Sequence, residues 1–327
     1  MSYPLSILDL AIVQPGQAIP DAVAASVELA QKAEEQGFRR IWFAEHHNFP
    51  SIASSATSVF IAHVAAHTDR IRLGSGGVML PNHSPLIIAE QFGTLAEIHP
   101  GRIDLGLGRA PGTDQRTMMA LRREPSAADT FPRDIKELQG YLKGQSLIPG
   151  VEAHPGTGTD VPLFILGSSE YGAQLAAALG LSYSFASHFA PQMLEHAARI
   201  YREKFEPSED LAEPYFIAAA NVIAADTEDE AHAQLELAQR HRIRQMLGRG
   251  RDLSEDDVTS LMHSPAGEQV LSMMKYTAVG TIETVRAYLD EFRERVNADE
   301  LIITNTAPDL AARHRTLELL GEHVINR

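Results

Sequence analysis

Ile71-Arg72-Leu73-Gly74-Ser75-Gly76-Gly77-Val78-Met79 is a short apolar run broken by glycines, and residues 85–98 after it carry apolar side chains at helical spacing. Ile103-Asp104-Leu105-Gly106-Leu107 is then a second short run. Two strands separated by one helix read as a parallel βαβ unit, because parallel neighbours need a crossover connection of a dozen or more residues. Working outward, the same alternation recurs. Further strands are expected at 6–13, 40–44, 163–166, 181–185, 215–224 and 301–305, which makes eight. Helices are expected at 21–36, 56–66, 169–179, 191–205, 228–240, 281–296 and 311–321. The pattern is α/β, and eight strands each followed by a helix fit a (β/α)8 barrel forming a single domain over residues 1–327. A doubly wound open sheet shows the same alternation. In either case the chemistry belongs at the C-terminal ends of the strands.

Two stretches exceed the repeat. Residues 110–161, after the fourth strand, end in a Gly/Pro/Thr-rich piece at 149–162 that reads as a surface loop. Residues 241–274, after the seventh strand, carry Arg242, Arg244, Arg249, Arg251, His263 and four methionines. That second excursion reads as a lid over a pocket or as a solvated helical hairpin.

Composition narrows the function classes. The 327 residues include 28 basic and 43 acidic side chains, a net charge of -15, and no cysteine. There is therefore no disulfide framework, thiolate metal site or cysteine nucleophile. The basic residues do not cluster into a nucleic-acid footprint. Neither a signal peptide nor a long apolar span is evident, so the expectation is a soluble cytoplasmic protein with no membrane or nucleic-acid partner.

The residues just after the strands are the ones to weigh. Glu45-His46-His47 follows the second strand and places groups that titrate near neutrality at a pocket mouth, suited to acid–base work; the alternative is histidine packing. No His-Glu-x-x-His helix accompanies them, and no metal site is expected. Gly76-Gly77 reads as a bulge, a barrel-corner kink or a close approach by a flat ligand. Gly106-Leu107-Gly108-Arg109-Ala110-Pro111-Gly112 is one residue too long for a dinucleotide fingerprint. Arg109 offers a fork for a phosphate, or else pairs with Asp104 or Asp114. Ser168-Ser169 opens a helix, and there the hydroxyls with free amides suit an anion or merely cap the helix. Arg109 and Ser169, on neighbouring strands, can meet on one phosphate. His63, His67 and His99 read as structural.

Taken in order, Trp42 to His47, Gly74 to Pro85 with Ala89-Glu90-Gln91, and Pro100 to Asp114 resemble the bacterial luciferase-like flavin-dependent monooxygenases, most closely the single-chain, alkanal-monooxygenase-like branch. The resemblance implies a TIM barrel that binds reduced FMN at the strand C-termini, the flavin being supplied by a separate reductase and reacting with oxygen where water is excluded. It assigns His46 as the catalytic histidine. It assigns Gly76 and Gly77 to the bulge beneath the flavin ring, and Arg109 with Ser168 and Ser169 to its phosphate. A homodimer and a small or medium apolar organic substrate are implied as well. Gly108 stands where the luciferase catalytic subunit has a reactive cysteine, so light emission is not implied. Relatives of the same fold that use F420, or that hold flavin without catalysis, define the alternatives.

Overall fold

The computed structural model describes residues 3–14, 16–110, 113–248 and 253–326. Pro111, Gly112, Arg249 and Arg251 lie outside the described residues. Nine parallel strands are present among these: β1 (Leu5–Asp9), β2 (Arg40–Phe43), β3 (Arg72–Met79), β4 (Ile103–Gly108), β5 (Leu163–Gly167), β6 (Ser182–Phe185), β7 (Phe216–Ala224), β8 (Thr277–Gly280) and β9 (Glu300–Asn305). Eight of them close a ring in the order β1-β2-β3-β4-β5-β6-β7-β9, with β9 paired back to β1. The fold is a TIM barrel.

The ring strands are those expected from the sequence, and β8 is the addition. β7 pairs with β9 along Ile217–Val222, while its opposite edge serves β6 near its start and β8 from Asn221 to Ala224. The strand expected at 6–13 stops at Asp9, whose carboxylate accepts hydrogen bonds from the Ala11 amide and the Ser26 hydroxyl and turns the chain out of the ladder.

The helices end where local chemistry ends them. Gly37 takes φ +84° after the helix Ile19–Gln36, a left-handed cap that glycine adopts at little cost. Thr227 caps the helix Glu228–Leu247 by accepting from the Glu230 amide. That helix runs past Arg240, where the sequence reading stopped it, to Leu247. The Arg240 and Arg244 guanidinia pair with Glu255 of the next helix, Glu255–Met262. With Pro265–Ser272 these helices form a small core of their own around Ile243, Val258 and Val270. The insertion after β4 holds the helices Gln115–Ala120 and Phe131–Lys143. Its loop is packed down, since a Cβ added to Gly93 would lie 2.1 Å from the Cα of Gly156.

The barrel interior is filled by Leu8, Trp42, Phe164, Ile217, Ala219 and Ile302, with Trp42 and Phe164 edge-on at 4.9 Å. The bulk of Trp42 explains the glycines of β3. A Cβ on Gly74 would stand 2.8 Å from the indole Cδ1, and one on Gly76 3.0 Å from the Trp42 Cβ. Without those glycines the single tryptophan does not fit.

The two poles differ in chemistry. At the strand N-termini, Arg40 bridges Asp104 at 2.8 Å and Glu300 at 2.9 Å, all three fully buried. Asp104 also accepts from Arg72 and Trp42, and Glu300 from Ser6 and Tyr215. Every carboxylate oxygen there is engaged, as burial of charge requires. A surface cavity lined by Lys143, Asp160, Leu163 and Ser182 also lies beside the strand starts, on the side away from the residues described next.

Candidate active site

Glu45, His46 and His47 leave β2 at the C-terminal pole, and the structure separates the two histidines by environment. Glu45 is 1 % exposed and its carboxylate gathers four donors: His47 Nε2 at 2.8 Å, His83 Nε2 at 2.9 Å, the Met79 amide at 3.0 Å and Asn82 Nδ2 at 3.2 Å. Burial pushes this carboxyl upward, but the His47 and His83 bonds, the His83 charge and the Met79 amide outweigh it and hold the pKa at about 2. His47 rises in turn, through its bond to Glu45. Glu45, His47 and His83 are close enough together to hold a metal ion. The Met79 and Asn82 N–H groups aimed at the same oxygens favour an anion instead, and we read the cluster as an ion-pair hub that ties the loop after β2 to the turn after β3.

The Glu45 shift has a measurable consequence. Its folded pKa lies below the ordinary 4.5, so its contribution is complete above that value and is lost as pH falls toward about 2. The size is about 3 kcal/mol. Denaturant unfolding at pH 7 and pH 3 should show Glu45→Gln losing less stability across that interval than the parent chain. Parallel losses would show that the carboxylate is not ion-paired.

His46 faces the other way. Its backbone amide donates to Ser54 at 3.2 Å and its ring meets Phe49 edge-on at 5.8 Å, while Nδ1 is buried without a hydrogen-bond partner. Burial lowers its pKa, and His47 adds to the fall while Glu45 opposes it. Adjacent histidines are thus pushed apart, one toward the charged form and one toward the neutral form, as acid–base sites require.

Gly76 and Gly77 form a bulge: the β3–β4 register shifts between Ser75 and Val78, and the Gly76–Gly77 peptide is cis. Ser75 spans the irregularity, its hydroxyl donating to the Gly106 carbonyl at 2.8 Å and accepting from the Gly106 amide at 3.0 Å. The Gly77 carbonyl accepts from the Glu45 amide, which joins the bulge to the hub. A Cβ on Gly77 would fall 2.7 Å from the Gly106 oxygen, so packing alone already demands glycine there.

Arg109 pairs with neither acid weighed for it. Asp104 is consumed at the opposite pole by Arg40 and Arg72, and Asp114 caps the helix Gln115–Ala120 by accepting from the Thr117 amide. Arg109 instead lies over the Tyr171 ring at 4.0 Å. Tyr171 is in the first turn of the helix Glu170–Leu179, whose N-cap Ser169 makes no side-chain capping bond. The Ser168 and Ser169 side chains are exposed. Arg109, Ser168, Ser169 and the N-terminus of that helix thus stand at the ends of the adjacent strands β4 and β5, with Tyr171 as the contact between the two sides.

His83 and His188 stand out only in three dimensions. His188 follows β6, is 7 % exposed, and its Nδ1 has no partner. Asn221 of β7 fixes its carbonyl at 2.9 Å and is itself fixed by Thr304 of β9 at 2.6 Å. Burial, then the charges of Arg242 and His46, push its pKa down to about 3. His63 and His67, on and just after the helix Thr57–Ala65, meet at 4.7 Å with their rings tilted by 56°. Among the described residues no helix is long and apolar enough to cross a membrane.

Residues 7–299 match the family model described as luciferase-like monooxygenase. A curated luciferase-like monooxygenase of Escherichia coli (strain K12) is 47% identical over 320 residues, covering 96% of this chain and 95% of that protein. The N-acetyl-S-alkylcysteine monooxygenase of Bacillus subtilis (strain 168) is 32% identical over 338 residues, covering 98% of each. Among solved structures, apo-MsnO8 superposes with a TM-score of 0.87 at 35% identity, covering 98% of both chains. A family match along most of the chain, on a closed barrel with Glu45, His46, His47 and Arg109 at its strand C-termini, makes this protein an oxidoreductase belonging to the luciferase-like monooxygenase family.

Proposed function

We propose that the protein is the oxygenating half of a two-component monooxygenase, using reduced FMN and O2 on a small or medium organic substrate. The observation that carries this reading is the presence, across the same strand ends, of Arg109 with Ser169, which makes no side-chain capping bond, and its neighbour Ser168 on one side and of His46, whose Nδ1 is buried without a partner and whose pKa burial lowers, on the other. A flavin phosphate would sit on the first and the ring would lie beside the Gly76–Gly77 bulge, near the second. Bound reduced flavin supplies the electrons for activating oxygen. This chain's own contribution is to hold the phosphate, present an apolar wall and keep a neutral imidazole ready to take up a proton at Nδ1.

In the same reading the excursion after β7, whose described helices pack around their own small core of Ile243, Val258 and Val270, serves as a cover. Water exclusion there favours the oxygen reaction over loss of the reducing equivalents as peroxide. A separate flavin reductase, a cytoplasmic location and a homodimer belong to the same reading and are supported by the family resemblance.

Arg109→Ala tests the phosphate seat. Loss of a charged hydrogen bond should weaken FMN binding by about 1.5–3 kcal/mol, with thermal stability held close to the parent because Arg109 is exposed. Unchanged FMN affinity, measured by fluorescence quenching of the flavin, would remove Arg109 from the site.

A further inference from the structure

The ladder between β2 and β3 ends with Phe43 opposite Ser75, and the ladder between β3 and β4 breaks from Ser75 to Val78. Gly76 and Gly77 thus lie outside the regular register on both sides. One residue closes the gap on the β2 side. The Glu45 amide donates to the Gly77 carbonyl at 3.2 Å, and the Glu45 carboxylate accepts from the Met79 amide at 3.0 Å. In a parallel ladder the second bond would go to the backbone carbonyl of the residue that makes the first. Here the side chain takes that place, so a carboxylate extends the β2 edge of the sheet past the end of β2 itself.

An acid suits this place because a carboxylate accepts at both oxygens. One oxygen takes Met79 while the other takes His47 and Asn82, and His83 Nε2 lies 2.9 Å from both. The groups that hold the carboxylate are braced from behind. The Thr113 hydroxyl donates to the His47 carbonyl at 3.1 Å, and Arg123 Nε donates to the Asn82 carbonyl at 3.1 Å. Glu45 is buried, so water does not compete for its oxygens. The chain then passes directly into His46, whose amide is fixed by the Ser54 carbonyl at 3.2 Å. A shift of Glu45 would therefore move the bulge and His46 relative to each other.

We propose that Glu45 is a positioning residue of the flavin site, which by gripping β3 at Gly77 and Met79 fixes the bulge as the bed of the flavin ring and sets its spacing from His46. The proposal rests on the monooxygenase reading for the flavin, while the grip on β3 is a feature of the fold.

Riboflavin and FMN, titrated into the full chain by quenching of flavin fluorescence at pH 7, separate the ring end of the site from the phosphate end. Glu45→Leu, which removes the acceptor for the Met79 amide, should weaken both flavins by the same factor, about tenfold, as the loss of one buried hydrogen bond implies. It should also change the visible circular dichroism of bound FMN, which reports the surroundings of the ring. Glu45→Gln, whose single oxygen can still take the Met79 amide, should fall between the parent and Glu45→Leu in both readouts. A role in folding alone would lower the unfolding midpoint and leave the affinities and the spectrum of the folded variants as in the parent, and that result would overturn the proposal. So would a loss confined to FMN, which would assign Glu45 to the phosphate. If Glu45→Leu does not fold, Glu45→Gln decides, and riboflavin affinity and spectrum equal to the parent's overturn the proposal. A parent chain that binds neither flavin overturns the monooxygenase reading and the proposal with it, whereas flavin binding that Glu45 does not affect overturns the proposal alone.

Discussion

Arg40→Met is expected to cost about 3–5 kcal/mol of stability, the largest single loss among side chains of the barrel. Arg40 is 2 % exposed and is shared by Asp104 and Glu300, both fully buried. Removing it strands the negative charge of Glu300 in particular, because Asp104 keeps Arg72 while Glu300 keeps only the Ser6 and Tyr215 hydroxyls and a more distant Arg39 at 3.8 Å. Replacing the acids together with the arginine, as Asp104→Asn and Glu300→Gln with Arg40→Met, should recover part of the loss, since the uncompensated charges then disappear. Guanidinium unfolding of the single and triple variants measures both. A loss below about 1 kcal/mol in the single variant, the range of an exposed pair, would contradict a desolvated lattice at this pole.

His46→Ala is expected to slow the oxygen-dependent step by about a hundredfold to ten-thousandfold, the range of a lost proton-transfer group, while FMN affinity changes little. Stopped-flow absorbance of the bound flavin, mixed with oxygenated buffer, reads the step without knowledge of the substrate. The pH dependence follows from the sign of the shift. Burial lowers the His46 pKa from 6.5, so the imidazole is neutral at pH 7 and the rate should hold to pH values below 6.5 before an acid limb appears. An acid limb centred above 6.5, or a rate in His46→Ala equal to that of the parent, would show that another group handles the proton.

Much of this was legible from the chain alone, for reasons that differ from residue to residue. The ring strands are buried on both faces, so β7 reads as one apolar run and stands out at once. β8, only Thr277-Ala278-Val279-Gly280, is too short and too mixed to register, and it is held by its pairing with the upper half of β7 rather than by any pattern of its own. The Gly76–Gly77 bulge was visible as paired glycines, but its packing cause, the indole of Trp42 thirty-odd positions earlier, needed the barrel to be closed.

The site shows the same division. His46, Arg109, Ser168 and Ser169 follow strands directly, and position alone singled them out. The division of labour between His46 and His47 was not readable, because it depends on His83 and Asn82 arriving at Glu45 from the next turn. His188, a lone histidine in a loop, carries no motif that would single it out. Its place three residues beyond β6 is the available signal, and its burial, with Asn221 of β7 holding its carbonyl, is visible only in three dimensions.

The most direct measurement is anaerobic titration of the protein with reduced FMN and, separately, reduced F420, followed by mixing with oxygenated buffer. The account predicts that reduced FMN binds more tightly than reduced F420, that Arg109→Ala weakens FMN specifically, and that oxygen consumes the bound flavin on a course distinct from that of free FMN. Preference for F420 with no reaction toward oxygen would contradict the account, as would FMN held tightly but oxidised no differently from flavin in solution, the behaviour of a protein that only carries it.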